Sequence, residues 1–265
     1  MRVPVAFGQY VPVSSPVHRL DAKAKMGLVA AYTVALFTID GFAGLAVMAV
    51  LVALAIALAR VPASLALRGV KALSFILLFT VLAHALRWNP ATETLIRIGP
   101  LGVDGQGLID GIFFAVRIVL LVVGTSLLTL TTSPVQLTDG LERLMRPLEL
   151  LRFPAGEVAM MLTIALRFIP TTAQEAEKIM IAQTARGARF DEGGLVTRAR
   201  AFVPVMVPLF VNLFRRAEDL AVAMESRCYR GGGTRTRLLP SVMRSADWAV
   251  LCCGAVLIVS IGIVL

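Results

Sequence analysis

Apolar positions along this chain fall into long runs separated by short polar breaks, and the breaks set the elements. The first run extends from Met26 to Ala59. A membrane-spanning helix needs about 20 mostly apolar residues, so this run is too long for one span. Asp40-Gly41 interrupts it and predicts a tight hairpin of two helices, Met26–Ile39 and Phe42–Ala59. The first is short and is expected to tilt or to draw on its flanks. Arg60, Pro62, Arg68 and Lys71 then read as a turn, followed by a third span from Ala72 to about Leu86. The segment Arg87–Gly107, rich in Gly, Pro and Asn, reads as irregular, and a fourth span follows from Leu108 to Leu130. Arg117 lies inside that span and is expected to face other helices rather than lipid. The final run, Ala246–Leu265, is a fifth span.

Between Thr131 and Arg244 the pattern changes. Apolar and charged residues alternate at helical spacing, which marks long amphipathic helices rather than ordinary spans. Three are predicted: about Val135–Leu151, opened by Ser133-Pro134, then about Pro154–Arg186, and about Leu195–Arg227. The apolar start of the second, Val158–Ile169, suits contact with a membrane. Pro170 is expected to bend the second helix, and Pro204 and Pro208 the third. The fold class is therefore all-α: a polytopic membrane protein of about five transmembrane helices with long amphipathic helices beside them. Three regions follow: a membrane domain over residues 1–132, an amphipathic module over 133–243, and the last span over 244–265.

Composition sharpens this picture. The 265 residues are 57% apolar, with a mean hydropathy of +0.81 and a net charge of +9 from 26 Lys and Arg. Sixteen of those 26 lie between Pro134 and Arg244. Basic segments of membrane proteins stay in the cytoplasm, which places the amphipathic module there. The N-terminal 25 residues have no apolar core segment and carry Asp21, so they do not read as a signal peptide and are expected to be cytoplasmic as well. Five spans then leave the C-terminus outside. Cys228, Cys252 and Cys253 form no CxxC pair, and His18 and His84 are far apart, so neither a metal site nor a bound cofactor is expected.

Candidate chemistry sits at the ends of the two longest amphipathic helices. One end reads Thr184-Ala185-Arg186-Gly187-Ala188-Arg189, the other Glu225-Ser226-Arg227-Cys228-Tyr229-Arg230. Each has a small residue, Arg, another small residue, one variable position and a second Arg. An Arg at a helix C-terminus has an ordinary explanation, because the helix dipole favours a cation there. Two copies 41 residues apart point further, to a pair of protruding tips. Small flanks let a tip enter a groove, and the guanidinium can fork onto carboxylate or carbonyl oxygens at its floor. Two similar tips suit a partner with two similar grooves, such as a dimer. Gly187 is a natural helix stop. Cys228 replaces it in the second copy and leaves that helix free to run one more turn, towards Gly231-Gly232-Gly233.

Over nearly its whole length the chain resembles the transmembrane T component of energy-coupling factor (ECF) transporters. The resemblance rests on Ser15-Pro16-Val17-His18-Arg19-Leu20-Asp21 through Lys25, on Arg87-Trp88-Asn89-Pro90, on Leu128 to Pro134 and on Ala165-Leu166-Arg167-Phe168-Ile169-Pro170. Its strongest parts are Ala182 to Gly187 and Ala223 to Tyr229. Ala22, where the family pattern has Pro, and Ser-Arg-Cys in the second tip depart from it. The resemblance implies a non-catalytic subunit of an ABC-type importer in the bacterial cell membrane. Its partners would be two ATPase subunits, a substrate-binding S component and the lipid bilayer, with no nucleic acid. The ATPase-coupling residues would be Ala185, Arg186, Gly187 and Arg189 on the first tip, and Ser226, Arg227, Cys228 and Arg230 on the second. The substrate, a vitamin or a metal, and whether the subunit is shared or dedicated stay open.

Two other classes are disfavoured. An intramembrane enzyme needs clustered nucleophiles, carboxylates or metal ligands at membrane depth, and the sequence has none; His18 with Arg19 and Asp21 reads as an anchor of the N-terminus. The sequence also has no GxxxxGK[ST] loop for nucleotide phosphates. A scaffold binding anionic lipid or RNA would spread its dependence over many basic residues rather than two.

Overall fold

A computed structural model describes residues 10–88, 94–98, 101–145, 147, 153–231 and 243–264. Two compact units are present. One comprises the helices up to Gly140 together with the last helix; the other starts at Leu141 and holds the two longest helices.

In the first unit, α1 (Pro16–Arg19) is opened by Ser15, whose hydroxyl accepts from the His18 amide. Asp21 does the same for α2 (Ala22–Thr38), accepting from Lys23 at 2.8 Å. α2 stops at the predicted break, and α3 (Phe42–Ala59) begins right after Gly41. The guanidinium of Arg117 donates to the Ile39 carbonyl at the hairpin turn and lies over the rings of Phe113 and Phe114. It thus faces protein, and it satisfies an end carbonyl that lipid could not.

The third span is not one straight helix. α4 (Ala63–Ala66), α5 (Arg68–Ala72) and α6 (Ser74–Ala85) replace it, with a 57° bend between Ala63–Ala72 and Ser74–Ala85. Nor is the following segment simply irregular. β1 (Leu86–Trp88), β2 (Thr94–Ile98) and β3 (Leu101–Asp104) form a small antiparallel sheet in the order β1-β3-β2. The β-branched run Thr94-Leu95-Ile96-Arg97-Ile98 favours extension. Asn89-Pro90 falls outside the described residues.

α7 (Gly105–Thr131) starts earlier than expected because Asp104 caps it, accepting from Gln106 at 3.2 Å. Gly107 and Gly111 let it lie directly on α6: a Cβ on Gly111 would stand 3.0 Å from the Val81 backbone. Such small-residue spacing is the usual device for close helix pairs in lipid. Tyr32 donates to the Leu120 carbonyl at 2.8 Å and joins Leu36, Met48, Val52 and Val123 in the core of this unit.

α8 (Pro134–Met145) opens with a reciprocal capping box between Ser133 and Gln136. Its expected extension to Leu151 lies mostly outside the described residues. In the second unit, α9 (Ala155–Ala185) and α10 (Leu195–Ser226) are continuous helices that contain Pro170 and Pro204 with Pro208, respectively. The last helix, α11 (Ser245–Val264), returns to the first unit and packs along α2. Gly254 and Gly262 make this approach close; a Cβ on Gly262 would meet Ala35 at 3.1 Å.

Four described helices are long and apolar enough to cross a membrane: α3, α7, α10 from Val196, and α11; the bent Ala63–Ala85 pair makes a fifth. α2, at 17 residues, falls just short of that length. Phe75, Leu78 and Phe79 on α6 and Val256 on α11 are exposed, as a lipid-facing surface requires. The protein is a helical, multi-pass membrane protein. α10 is the least apolar of the four, and between Arg200 and Arg215 only the stretch Ala201–Phe214 is free of charge. At 1.5 Å per residue that stretch reaches about 21 Å, short of the ~30 Å hydrocarbon core.

Candidate functional site

The two arginine tips have the same backbone. α9 ends at Ala185, with Arg186 as its cap residue. Gly187 follows at φ 90, in the left-handed region. The Gly187 amide donates to the Thr184 carbonyl and the Ala188 amide to the Gln183 carbonyl, both at 2.9 Å. This pair of bonds is a Schellman stop, which satisfies carbonyls that the end of a helix would otherwise strand.

α10 ends at Ser226, with Arg227 as its cap residue. Cys228 takes the left-handed position at φ 57. Its amide donates to the Glu225 carbonyl at 2.8 Å, and the Tyr229 amide to the Met224 carbonyl at 3.0 Å. The expected extra turn is therefore absent. The second helix stops at the same place as the first, without the glycine that usually permits it, and the glycine run plays no part in the stop. A non-glycine side chain in this conformation costs on the order of 1 kcal/mol, and the two cap bonds hold it there.

Ala185, Arg186, Gly187 and Arg189 are exposed, as are Ser226, Arg227, Cys228 and Arg230. Arg186 and Arg227 make no ion pair or side-chain hydrogen bond among the described residues. Arg189 pairs with Glu192 at 2.7 Å in full solvent, a contact of small energy. Two uncommitted guanidiniums thus stand at capped helix ends, and the backbone turn fixes where each points.

Behind the tips, α9 and α10 are joined by a polar cluster. Arg216 donates to Glu175 and to Thr171, each at 3.2 Å, and Asn212 donates to Glu175 at 3.1 Å. The Arg216 guanidinium also lies 5.7 Å from the centre of the Phe168 ring. Later residues on α9 meet earlier ones on α10, so the helices run in opposite senses here and their tips diverge. The sequence reading missed this cluster. The signal was the isolated Glu175 and Arg216 within otherwise apolar faces, but only the pairing of the helices joins them.

In the first unit, two of the signature stretches meet. Lys25, almost wholly buried, donates to the Thr131 carbonyl at 2.9 Å and the Thr132 hydroxyl at 3.3 Å. His18 contacts the Val11 carbonyl at 3.0 Å, where its ring nitrogen must donate, and Ser15 at 2.7 Å. Both ring nitrogens are thereby used in holding the N-terminal segment. Cys252 and Cys253 are free and exposed on α11. Among the described residues no three His, Cys, Asp or Glu side chains come together as metal ligands.

Comparison with known proteins bears on the whole chain. The profile of the cobalt transport protein family, CbiQ, matches residues 13–238. The energy-coupling factor transporter transmembrane protein EcfT of Thermosediminibacter oceani is 49% identical over 245 residues, 92% of each chain. Its counterpart in Heliobacterium modesticaldum is 48% identical over 246 residues, 93% of this chain and 92% of its own. That of Bacillus subtilis is 43% identical over 244 residues, 92% of each. With similarity this high over nearly its full length, the chain belongs to the cobalt transport protein (CbiQ) family, alongside the transmembrane protein EcfT of energy-coupling factor transporters.

Proposed function

We infer that this protein is the coupling subunit of an ECF-type importer, transmitting the motion of two ATPase subunits to a substrate-binding S component. The observation that carries the reading is the duplicated tip: two identically capped helix ends, each presenting an exposed and uncommitted arginine. Ala185, Arg186, Gly187 and Arg189 would enter a groove on one ATPase, and Ser226, Arg227, Cys228 and Arg230 the matching groove on the other. Residues 133–243 form the coupling module on this reading. It lies in the cytoplasm with the N-terminus, as the concentration of positive charge there favours. ATP is bound and hydrolysed by the partners, and this chain supplies rigid levers. The exposed apolar residues of α9 and α10, among them Met161, Met206, Val207 and Phe210, would meet lipid or the S component.

The test is co-expression with two ECF ATPases and an S component, comparing Arg186→Ala, Arg227→Ala and the double variant. If each arginine meets a buried carboxylate, each loss costs about 2–5 kcal/mol of docking energy. ATPase recovery with the purified protein should fall, and ATP-driven uptake into vesicles should collapse, while the chain still inserts and keeps the S component. Unchanged assembly and uptake in the double variant would overturn the reading in favour of a membrane scaffold.

A further inference from the structure

The residues linking α9 and α10 have a symmetry that their chemistry hides. A shift of 41 residues carries Arg186 onto Arg227, Gly187 onto Cys228 and Arg189 onto Arg230. The same shift carries Thr171 onto Asn212 and Glu175 onto Arg216. Applied to the contacts, it returns the same set. Glu175–Arg216 joins two equivalent positions, and Thr171–Arg216 exchanges with Asn212–Glu175. Exposure obeys the relation too: Ile181 is 64% exposed and its equivalent, Val222, 66%. Contacts that map onto themselves in this way define a local two-fold axis through the Glu175–Arg216 pair.

Each tip arginine lies eleven residues beyond the axis, Arg186 from Glu175 and Arg227 from Arg216. Eleven helical residues make about three turns and about 16 Å. Both arms are therefore equal in length, and each arginine returns to nearly the same helix face as its axial residue. Two identical side chains on an exact two-fold axis would carry like charge. A duplicated segment within one chain is free of that constraint, and here the axial positions carry opposite charges 3.2 Å apart.

We propose that Glu175, Arg216, Thr171 and Asn212 are the pivot of this axis: positioning residues that set the separation and mutual orientation of the Arg186 and Arg227 tips. The proposal deepens the coupling reading and rests on it for its functional meaning. It also makes an unusual demand. The pair should work when exchanged, because Glu175→Arg with Arg216→Glu places the same charges on the same axis. The flanking groups tolerate the exchange: a Thr hydroxyl and an Asn amide can each donate or accept.

The test is a distance measurement on the full chain in lipid nanodiscs. With Cys228→Gly, Cys252→Ala and Cys253→Ala as background, spin labels are placed at Ile181→Cys and Val222→Cys, and the distance distribution is read by pulsed electron paramagnetic resonance. The expected result is a narrow distribution in the background, a shift or broadening of several ångströms in Glu175→Arg and in Arg216→Glu, and recovery in the exchanged double variant. Unlabelled proteins carrying the native cysteines are assayed in parallel for uptake per ATP hydrolysed in the assembled transporter. That ratio should fall severalfold in each single variant and recover in the exchange, an outcome that loss of folding cannot produce. Unchanged distances in the single variants overturn the pivot. Loosened distances that the exchange does not restore overturn the two-fold equivalence. Failure of the coupling reading would look different: the wild-type protein itself would not recover ATPase subunits.

Discussion

Gly187 and Cys228 occupy equivalent places in two identical turns, and they make opposite predictions. Both have positive φ. A Cβ on Gly187 would meet nothing within 4 Å, so the cost of Gly187→Ala comes from backbone conformation alone. It should destabilise the α9 stop by about 1 kcal/mol, whereas Cys228→Gly should stabilise the α10 stop by about the same amount. Hydrogen exchange of the Gly187 and Ala188 amides in the first case, and of the Cys228 and Tyr229 amides in the second, measures each directly. Equal protection before and after either change would show that the caps carry no strain. The arginines of both tips were legible in the sequence, because the spacing repeats. The place where the second helix stops was not. A glycine rule sends it on to Gly231, whereas two backbone bonds at the end of α10 are enough to hold a cysteine left-handed.

At the scale of elements, the breaks between helices were plain wherever one residue type decided them. Asp40-Gly41 ended α2, and Ser133-Pro134 opened α8. The bend at Leu73 and the small sheet were not plain, because apolar runs look alike whether straight, bent or extended, and cross-strand pairing is a non-local property. The glycines of α7 and α11 also went unread, since their meaning depends on the neighbour. They differ in a testable way. A Cβ on Gly111 would press on Val81 backbone at 3.0 Å, while one on Gly254 would meet the end of the Leu28 side chain at 2.7 Å. Backbone cannot step aside and a leucine methyl can. Gly111→Ala should therefore lower stability by about 1–3 kcal/mol, as overpacking does, and Gly254→Ala by clearly less. Thermal unfolding of the two purified variants in one detergent ranks them; the reverse order would refute the account.

For the molecule as a whole, the unit that holds α2, α3 and α7 is closed by a helix from the far end of the chain. α11 lies along α2 through Gly254 and Gly262. Deleting residues 245–265 should strip the small-residue face of α2, lower the amount of protein retained in the membrane and depress its melting temperature. Supplying that segment as a separate peptide should restore both. Immunoblotting and thermal unfolding check this, and undiminished levels without α11 would show the pairing to be dispensable. The arrangement also has a consequence in time. More than two hundred residues separate the end of α2 from the start of α11. At ~5–20 residues per second of synthesis, the first long helix waits roughly 10–40 s for its partner. During that interval a 17-residue helix with a bare alanine and glycine face must be sheltered by the insertion machinery or rest at the bilayer surface, so the ribosome's pace becomes part of how this protein is assembled.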